Sequence, residues 1–322
     1  MSDHVANNEA YDSLHLNQSD ENSSISIIDI QTFLSKELPE RKLLLSPWLP
    51  SQGLAMIHAP RGIGKTHVAM AVGYAVACGG EFLSWKAPEA AGVLILDGEM
   101  PAPALQERLA EIVKSNNMEP IKPFRLMTPD LQPKDRLAFN IANVSDQHEL
   151  DKHLNDIDLI IVDNISTLCR SGKENEAEGW QPIQAWALQQ RAQGRSVLFI
   201  HHSGKDGRQR GTSKREDVLD TVISLKQPSD YESEQGARFE IRFEKNRGFY
   251  GEDAEPLEAQ LATDTSGNQQ WSYKSLEDAI HAQIISLYNE GLSQKEIAAE
   301  VDRNKSTVSR HIKRARAEGE IS

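Results

Sequence analysis

Cysteine is nearly absent from this 322-residue chain: Cys78 and Cys169 are the only two, both in apolar surroundings. They show no metal-ligand spacing, which excludes a zinc module and a disulfide framework and leaves two buried thiols in a reducing cytosol. An excess of basic residues is absent as well. Lys and Arg number 35 against 48 Asp and Glu, a formal net charge of −13. That excludes a coat-like cationic nucleic-acid binder and leaves any DNA contact to local basic segments. Long apolar runs are missing too. The longest, Val68 to Cys78, falls far short of the roughly 20 residues of a membrane span. Residues 1–26 hold five acids and neither Lys nor Arg, the reverse of the basic start of a signal peptide. These absences predict a cytoplasmic protein with no membrane partner. No repeat, collagen-like tract or prion-like tract occurs.

What is present is enough for one large domain and one small one, with 39% hydrophobic residues to build the cores. Residues 1–26, polar and acidic, are expected to form a disordered tail. In 27–50, Ile28, Ile30, Phe33 and Leu34 predict an amphipathic turn or helix. Leu43, Leu44, Leu45, Trp48 and Leu49 follow, and the whole segment is expected to pack on the edge of the next domain. Apolar runs at 54–57, 93–96, 159–162 and 197–200 alternate with helical stretches near 65–78, 102–115 and 180–193. Short buried strands alternating with helices predict an α/β fold with a mainly parallel sheet. The stretches 218–226, 238–245 and 256–262 alternate more and predict antiparallel strands added to one edge. A domain over 27–265 results. From Ser275 the pattern turns helical, with three short helices near 276–290, 294–301 and 305–317, forming a second domain over 275–322.

Residues 59–66 read Ala59, Pro60, Arg61, Gly62, Ile63, Gly64, Lys65, Thr66. This is a Walker A loop with Ala59 in the place of the first glycine, set between an apolar run and a helix as the motif requires. Gly62 and Gly64 let backbone N–H groups turn onto phosphate oxygens, and the helix that continues through His67 adds its positive end. Lys65 is expected to reach the β- and γ-phosphates of ATP and Thr66 to offer its hydroxyl to Mg²⁺. The alternative is an ordinary glycine-rich turn between strand and helix.

A second apolar run, Leu159 to Val162, ends in Asp163, about 100 residues after Lys65. That is a Walker B strand, with Asp163 holding the water shell of Mg²⁺. A third, Leu94 to Leu96, ends in Asp97, Gly98 and Glu99. Strand ends of an open parallel sheet line one crevice, so Glu99 is placed to face the γ-phosphate and polarise an attacking water; a solvated acid is the alternative. The run Val197 to Ile200 ends in His201, His202 and Ser203, and a polar residue there reaches the same crevice.

Together the pieces APRGIGKT, LILDGEM, LIIVDNIS, VLFIHHSGK, RGTSKREDVLDTVISL and FEKNRGF resemble the RecA-like ATPases related to the ring helicases RepA, of broad-host-range plasmids, and DnaB. They span about 54–250, most of the larger domain. The resemblance implies ATP hydrolysis with Glu99 as catalytic base and a sensor histidine at His202 or, one residue earlier, at His201. It also implies that Lys245 and Arg247 of the Lys-x-Arg element enter a neighbouring subunit's ATP site, in a homo-oligomer expected to be a hexameric ring. There a guanidinium would neutralise charge developing on the γ-phosphate. A basic hairpin end on the surface is the alternative. The chain departs from that family at Ala59 and in its extra C-terminal module.

Two segments point at DNA. Five of the fourteen residues in 203–216 are Lys or Arg, set among glycines. Arg208, Arg210, Lys214 and Arg215 suit non-specific contacts to the phosphates of single-stranded DNA, or else form a solvated loop. At the C-terminus, Ser293 and Glu296 form a capping box and Asn304 caps a second helix. The piece GLSQKEIAAEVDRNKSTVSRHIKRARAEG resembles the helix-turn-helix of resolvase and sigma-factor type regulators. From Arg303 to Ala317 there are six Lys or Arg and no acid. Lys305, Ser306, Thr307, Ser309 and Arg310 are expected to meet base edges of duplex DNA, and Lys313 and Arg314 its phosphates. A three-helix oligomerisation or protein-binding module is the alternative. The sequence thus predicts an ATP-hydrolysing, DNA-stimulated helicase or translocase serving replication of a plasmid, phage or mobile element. A DNA-bound regulator or loader that does not unwind DNA stands beside it. A DNA-binding module with a relict P-loop is disfavoured by intact Lys65, Thr66, Glu99 and Asp163.

Overall fold

The structure, a computed structural model, describes residues 27–38, 40–116, 118–134, 138–170, 177–203 and 215–321. The expected acidic tail, 1–26, lies outside the described residues. Two units separate, Met1–Glu40 and Arg41–Ser322. In the first, the Asp29 carboxylate accepts from the Thr32 N–H at 2.9 Å and starts a helix, α1 (Ile30–Ser35). This helix buries none of its residues. Six residues make fewer than two turns, too few for a continuous apolar stripe.

In the second unit the packing expected of 43–49 does occur. The antiparallel pair β1 (Leu43–Leu45) and β2 (Leu49–Pro50) brings Leu44, Leu45, Trp48 and Leu49 into the core. Strand β3 (Leu54–Ala59) then leads into α2 (Lys65–Cys78), a hairpin of β4 (Glu81–Phe82) and β5 (Trp85–Lys86), β6 (Val93–Asp97), α3 (Ala102–Ser115) and β7 (Phe124–Met127). Helix α4 (Val144–Asp151) precedes β8 (Leu159–Asp163) and the single turn α5 (Ile165–Leu168); α6 (Ala177–Ala192) precedes β9 (Ser196–His202). Strands β10 (Thr221–Lys226), β11 (Arg238–Asn246), β12 (Leu257–Thr263) and β13 (Gln269–Ser275) complete a nine-stranded sheet of order β13-β12-β11-β10-β3-β9-β8-β6-β7. From β10 to β7 neighbours run parallel; β11, β12 and β13 run antiparallel at one edge. This is the expected α/β class.

Strands β3, β6, β8 and β9 are buried at every position. Helices cover both faces of the sheet, so both sets of alternating side chains meet apolar surroundings and the strands read as unbroken apolar runs. On one face α2 packs over Ile57, Ile95, Ile161 and Ile200. On the other, Trp180, Ile183 and Trp186 of α6 pack over Met56, Leu96, Val162 and Phe199. Each such fully buried side chain contributes about 1.5–3 kcal/mol relative to an exposed one. The strand period of two decides which face each terminal residue takes. Ala59, Asp97, Asp163 and His202 come two residues after Ile57, Ile95, Ile161 and Ile200 and share the α2 face; His58 and His201 share the α6 face.

The C-terminal helices are α7 (Leu276–Asn289), α8 (Gln294–Glu300) and α9 (Lys305–Glu318), within a few residues of the expected bounds. Ser275, Ser293 and Asn304 cap them, and Ser293 and Glu296 form the capping box. Ile284, Ile297, Val301, Val308 and Ile312 form a separate small core. These helices are consistent with a helix-turn-helix domain.

Candidate functional site

The loop after β3 turns at Gly62 (φ +82°) and Gly64 (φ +115°), left-handed conformations that favour glycine. A Cβ at Gly64 would also come within 3.1 Å of the Ala237 Cβ. Ala59 is buried as the last residue of β3, Pro60 is half-buried, Arg61 is exposed and Ile63 is buried as the loop's apolar anchor. Lys65 folds back over the loop, its Nζ donating to the carbonyls of Ala59 (3.0 Å) and Pro60 (2.7 Å). Burial pushes its ammonium down to about 8, against the pull of Asp163 and Glu99. His67, one residue past Thr66, is pushed down to about 4 by burial and then by the charge of Arg108.

Asp163, at the end of β8, is buried beside this loop. Burial pushes its carboxyl up to about 6; a hydrogen bond from Thr66 opposes the shift. Its Oδ2 is buried with no hydrogen-bond partner among the described residues. A hydroxyl and a carboxylate with an unclaimed oxygen form a hard oxygen donor set, which fits Mg²⁺, an ion that keeps most of its waters and takes one or two protein ligands.

Gly98 brings the end of β6 against α5. Its N–H donates to the Asp163 carbonyl at 2.8 Å, and a Cβ there would meet Thr167 Oγ1 at 2.5 Å. Asp97 ties the turn by accepting from the Met100 N–H at 2.9 Å. Glu99 therefore projects into the crevice, its side chain 51% exposed. Glu99 Oε2 accepts from the Asn164 amide, and His202 Nε2 lies 3.4 Å away. The same amide nitrogen is 3.2 Å from His202 Nε2. Burial first, then the Lys65 charge, lowers the His202 pKa. His202 is thus the histidine facing the crevice. His201 lies on the opposite face and accepts from Arg215 at 3.0 Å. Asn164 and Arg108 escape a reading by motif. Asn164 had one signal, a polar residue directly after the Walker B aspartate; Arg108 is a helix residue whose Nη1 reaches Met100 Sδ at 3.2 Å.

Lys245 and Arg247 are not brought to this crevice. Asn246 pairs with Thr221, which pairs with Ala55, at the end of the sheet opposite the loop after Ala59. Four residues of strand separate the two levels, about 13 Å at the usual rise. Lys245 Nζ donates to the Glu216 carbonyl and Arg247 Nη2 to the Asp217 carbonyl at 3.3 Å. Burial lowers the Lys245 pKa, with the neighbouring Arg247 adding to the effect.

Of the basic loop, Arg208, Arg210 and Lys214 lie outside the described residues. Arg215 is held against the protein. It is 5% exposed, donates to His201 and lies over the Trp180 ring at 5.7 Å. A guanidinium held this way anchors the loop's end and is withdrawn from solvent. On α9, Lys305, Ser306, Arg310, Lys313 and Arg314 are exposed, and Thr307 and Ser309 are half-buried. The Ser306 and Thr307 hydroxyls donate to the Asn304 carboxamide oxygen (2.6 and 3.0 Å), so part of their polar capacity serves the cap.

Among the described residues no helix is long and apolar enough to cross a membrane. No curated protein matches the chain. A solved structure of a KaiC-like protein from the hyperthermophilic archaeon Pyrococcus horikoshii is similar at 13% identity and a TM-score of 0.48, covering 71% of this chain and 93% of that one. A helix-turn-helix domain family matches residues 272–315, and the "AAA domain" family matches residues 23–208, more than half of the chain. With its P-loop, Walker B strand and C-terminal helices in place, the chain belongs to the AAA domain family and carries a helix-turn-helix domain behind its ATPase core.

Proposed function

We propose that this chain hydrolyses ATP in a DNA-stimulated ring, as a RepA-like helicase or translocase in the cytoplasm that serves replication of a plasmid, phage or mobile element. One observation carries the reading. Glu99 and His202 meet Lys65, Thr66 and Asp163 in one crevice, while Arg247 lies at the far end of the same sheet. The resemblance assigns such an arginine to a neighbouring copy's phosphates, which makes the enzyme of this reading an oligomer, by resemblance a hexamer. In hydrolysis Glu99 takes a proton from water. The water oxygen bonds to the γ-phosphorus as its bond to the bridging oxygen breaks, and ADP leaves with that electron pair. Gly62 and Gly64 turn backbone N–H groups to the phosphates, Lys65 holds the β- and γ-phosphates, and His202 reads the γ-phosphate. Mg²⁺ held by Thr66 and Asp163 would neutralise charge on the phosphate oxygens.

The loop bearing Arg208, Arg210 and Lys214 is proposed to hold single-stranded DNA, and α9 duplex DNA. The separate apolar core of the C-terminal helices supports a second reading, a site-specific regulator or loader in which ATP controls assembly. ATP turnover with and without single-stranded DNA, beside strand displacement on a forked duplex, separates the two. DNA-stimulated turnover with displacement is expected. Turnover without displacement favours the regulator, and no turnover at all overturns both.

A further inference from the structure

Asn164 makes an unusual choice with its side chain. It stands at the N-cap of α5, its backbone carbonyl accepting from the N–H groups of Thr167 (3.3 Å) and Leu168 (3.1 Å). An asparagine at that position ordinarily turns its side-chain oxygen onto the first free N–H groups of the helix. Here it makes no side-chain cap bond. The amide points into the crevice instead. The residue is 1% exposed, its Nδ2 donates to Glu99 Oε2 and approaches His202 Nε2 at 3.2 Å, and its Oδ1 is buried without a partner among the described residues. A purely structural asparagine would keep the cap, because the orphaned oxygen and the uncapped turn both disfavour the fold.

The chemistry of the amide explains the arrangement. Nδ2 carries two hydrogens, one for each neighbour. His202 Nε2 is also 3.4 Å from Glu99 Oε2, so amide, carboxylate and imidazole form one polar cluster. His202 Nδ1 is buried and unpartnered among the described residues. The hydrogen directed at Glu99 fixes Oε2 and leaves Oε1 to take a proton. One side chain therefore contacts both the carboxylate and the imidazole and holds the two in one arrangement.

We propose that Asn164 is a positioning residue for ATP hydrolysis, tying Glu99 to His202 so that the histidine facing the γ-phosphate and the carboxylate activating water are aligned by one amide. The inference rests on the roles proposed above for Glu99 and His202. Its test measures kcat and KM for ATP with full-length protein carrying Asn164→Ala, Asn164→Asp, Glu99→Gln, and Asn164→Ala with Glu99→Gln. Thermal melts and affinity for a fluorescent ATP analogue serve as controls of folding. Asn164→Ala should lower kcat about 10- to 100-fold, as a misaligned catalytic group does, with KM within about twofold. Asn164→Asp keeps the shape, loses the donor and should fall at least as far, which carries the test if the alanine variant does not fold. In the Glu99→Gln background Asn164→Ala should cost less than about twofold, because groups that act as a unit are not additive. Independent losses that multiply, a change in KM alone, or faster turnover in either Asn164 variant would overturn the proposal. Glu99→Gln turning over like wild type is a different failure, that of the Glu99 assignment itself.

Discussion

His201 and His202 stand back to back across the sheet: His202 Nε2 lies 3.4 Å from Glu99 Oε2, and His201 Nε2 accepts from Arg215 at 3.0 Å. Adjacent residues of a strand face opposite sides, so one histidine belongs to the crevice and the other to the base of the basic loop. His202→Ala should reduce ATP turnover at least tenfold with little change in melting temperature. His201→Ala should instead take an acceptor from Arg215, costing about 1–3 kcal/mol, and lower the melting temperature while the isolated ATPase chemistry persists. Steady-state kinetics and thermal melts on both variants check this, and equal kinetic loss in the two would show that the faces are not functionally distinct.

Asp163 carries a cost that its task explains. Its folded pKa, about 6, lies above the ordinary 3.8. The folded chain then binds this proton more tightly than the unfolded one, so stability falls as pH rises from about 4 through about 6. At pH 7.5 the metal-free protein bears the whole cost, on the order of 3 kcal/mol. Asp163→Asn should therefore raise the metal-free melting temperature and abolish turnover, and added Mg²⁺ with nucleotide should stabilise wild type more than the variant. A metal-free variant that melts below wild type would contradict this account.

Arg247 and Lys65 lie at opposite ends of the sheet, and this separation makes a mixing experiment decisive. Arg247→Ala should bind ATP normally and lose turnover about 10³-fold, as an arginine acting in trans does. Lys65→Ala should fail to bind. Combined, the two should regain some turnover, because an Arg247→Ala subunit keeps an intact P-loop and a Lys65→Ala neighbour supplies the arginine. Specific activity independent of protein concentration, with no recovery on mixing, would remove the case for a shared site.

The buried strands were legible in the sequence because helices cover both faces of the sheet, leaving no alternation to confuse with a surface strand. The Walker loop was legible because its glycines, Lys65 and Thr66 sit between such a strand and a helix. β7 and β13 were not, since β7 is a half-exposed edge strand and β13 mixes Gln, Ser and Lys with single aromatics. The surroundings of Arg215 are hidden from the sequence for a related reason. Its charge groups with its neighbours in sequence, and nothing local reveals that Trp180, 35 positions earlier, supplies a ring for it. Asn164 sits in a motif plainly visible, yet its role depends on Glu99 and His202, which join it only when β6, β8 and β9 lie side by side.

On α9, Arg310 Nη2 is 4.0 Å from Glu277 Oε1, and Arg314 Nη1 is 3.7 Å from Asp278 Oδ1. All four side chains are well exposed, so each pair contributes roughly 0–1 kcal/mol. Under the reading proposed for α9, duplex DNA competes with these carboxylates for the same guanidinium groups. Glu277→Gln and Asp278→Asn should each tighten duplex binding by up to about fivefold at low salt, the equivalent of 1 kcal/mol, with the gain fading as salt screens the pairs. Both acids also sit in the first turn of α7, where they favour the helix by about 0.3–1 kcal/mol, so melting temperature must be followed alongside. Arg310→Ala should relax site preference by about 1–3 kcal/mol if it meets a base edge, whereas Lys313→Ala should weaken all duplexes alike and reduce the salt slope by about one. Anisotropy titrations on one preferred and one scrambled duplex, at several salt concentrations, distinguish these outcomes. If neither carboxylate variant changes affinity at any salt, the acids of α7 do not compete with DNA, and α9 meets its partner by another face.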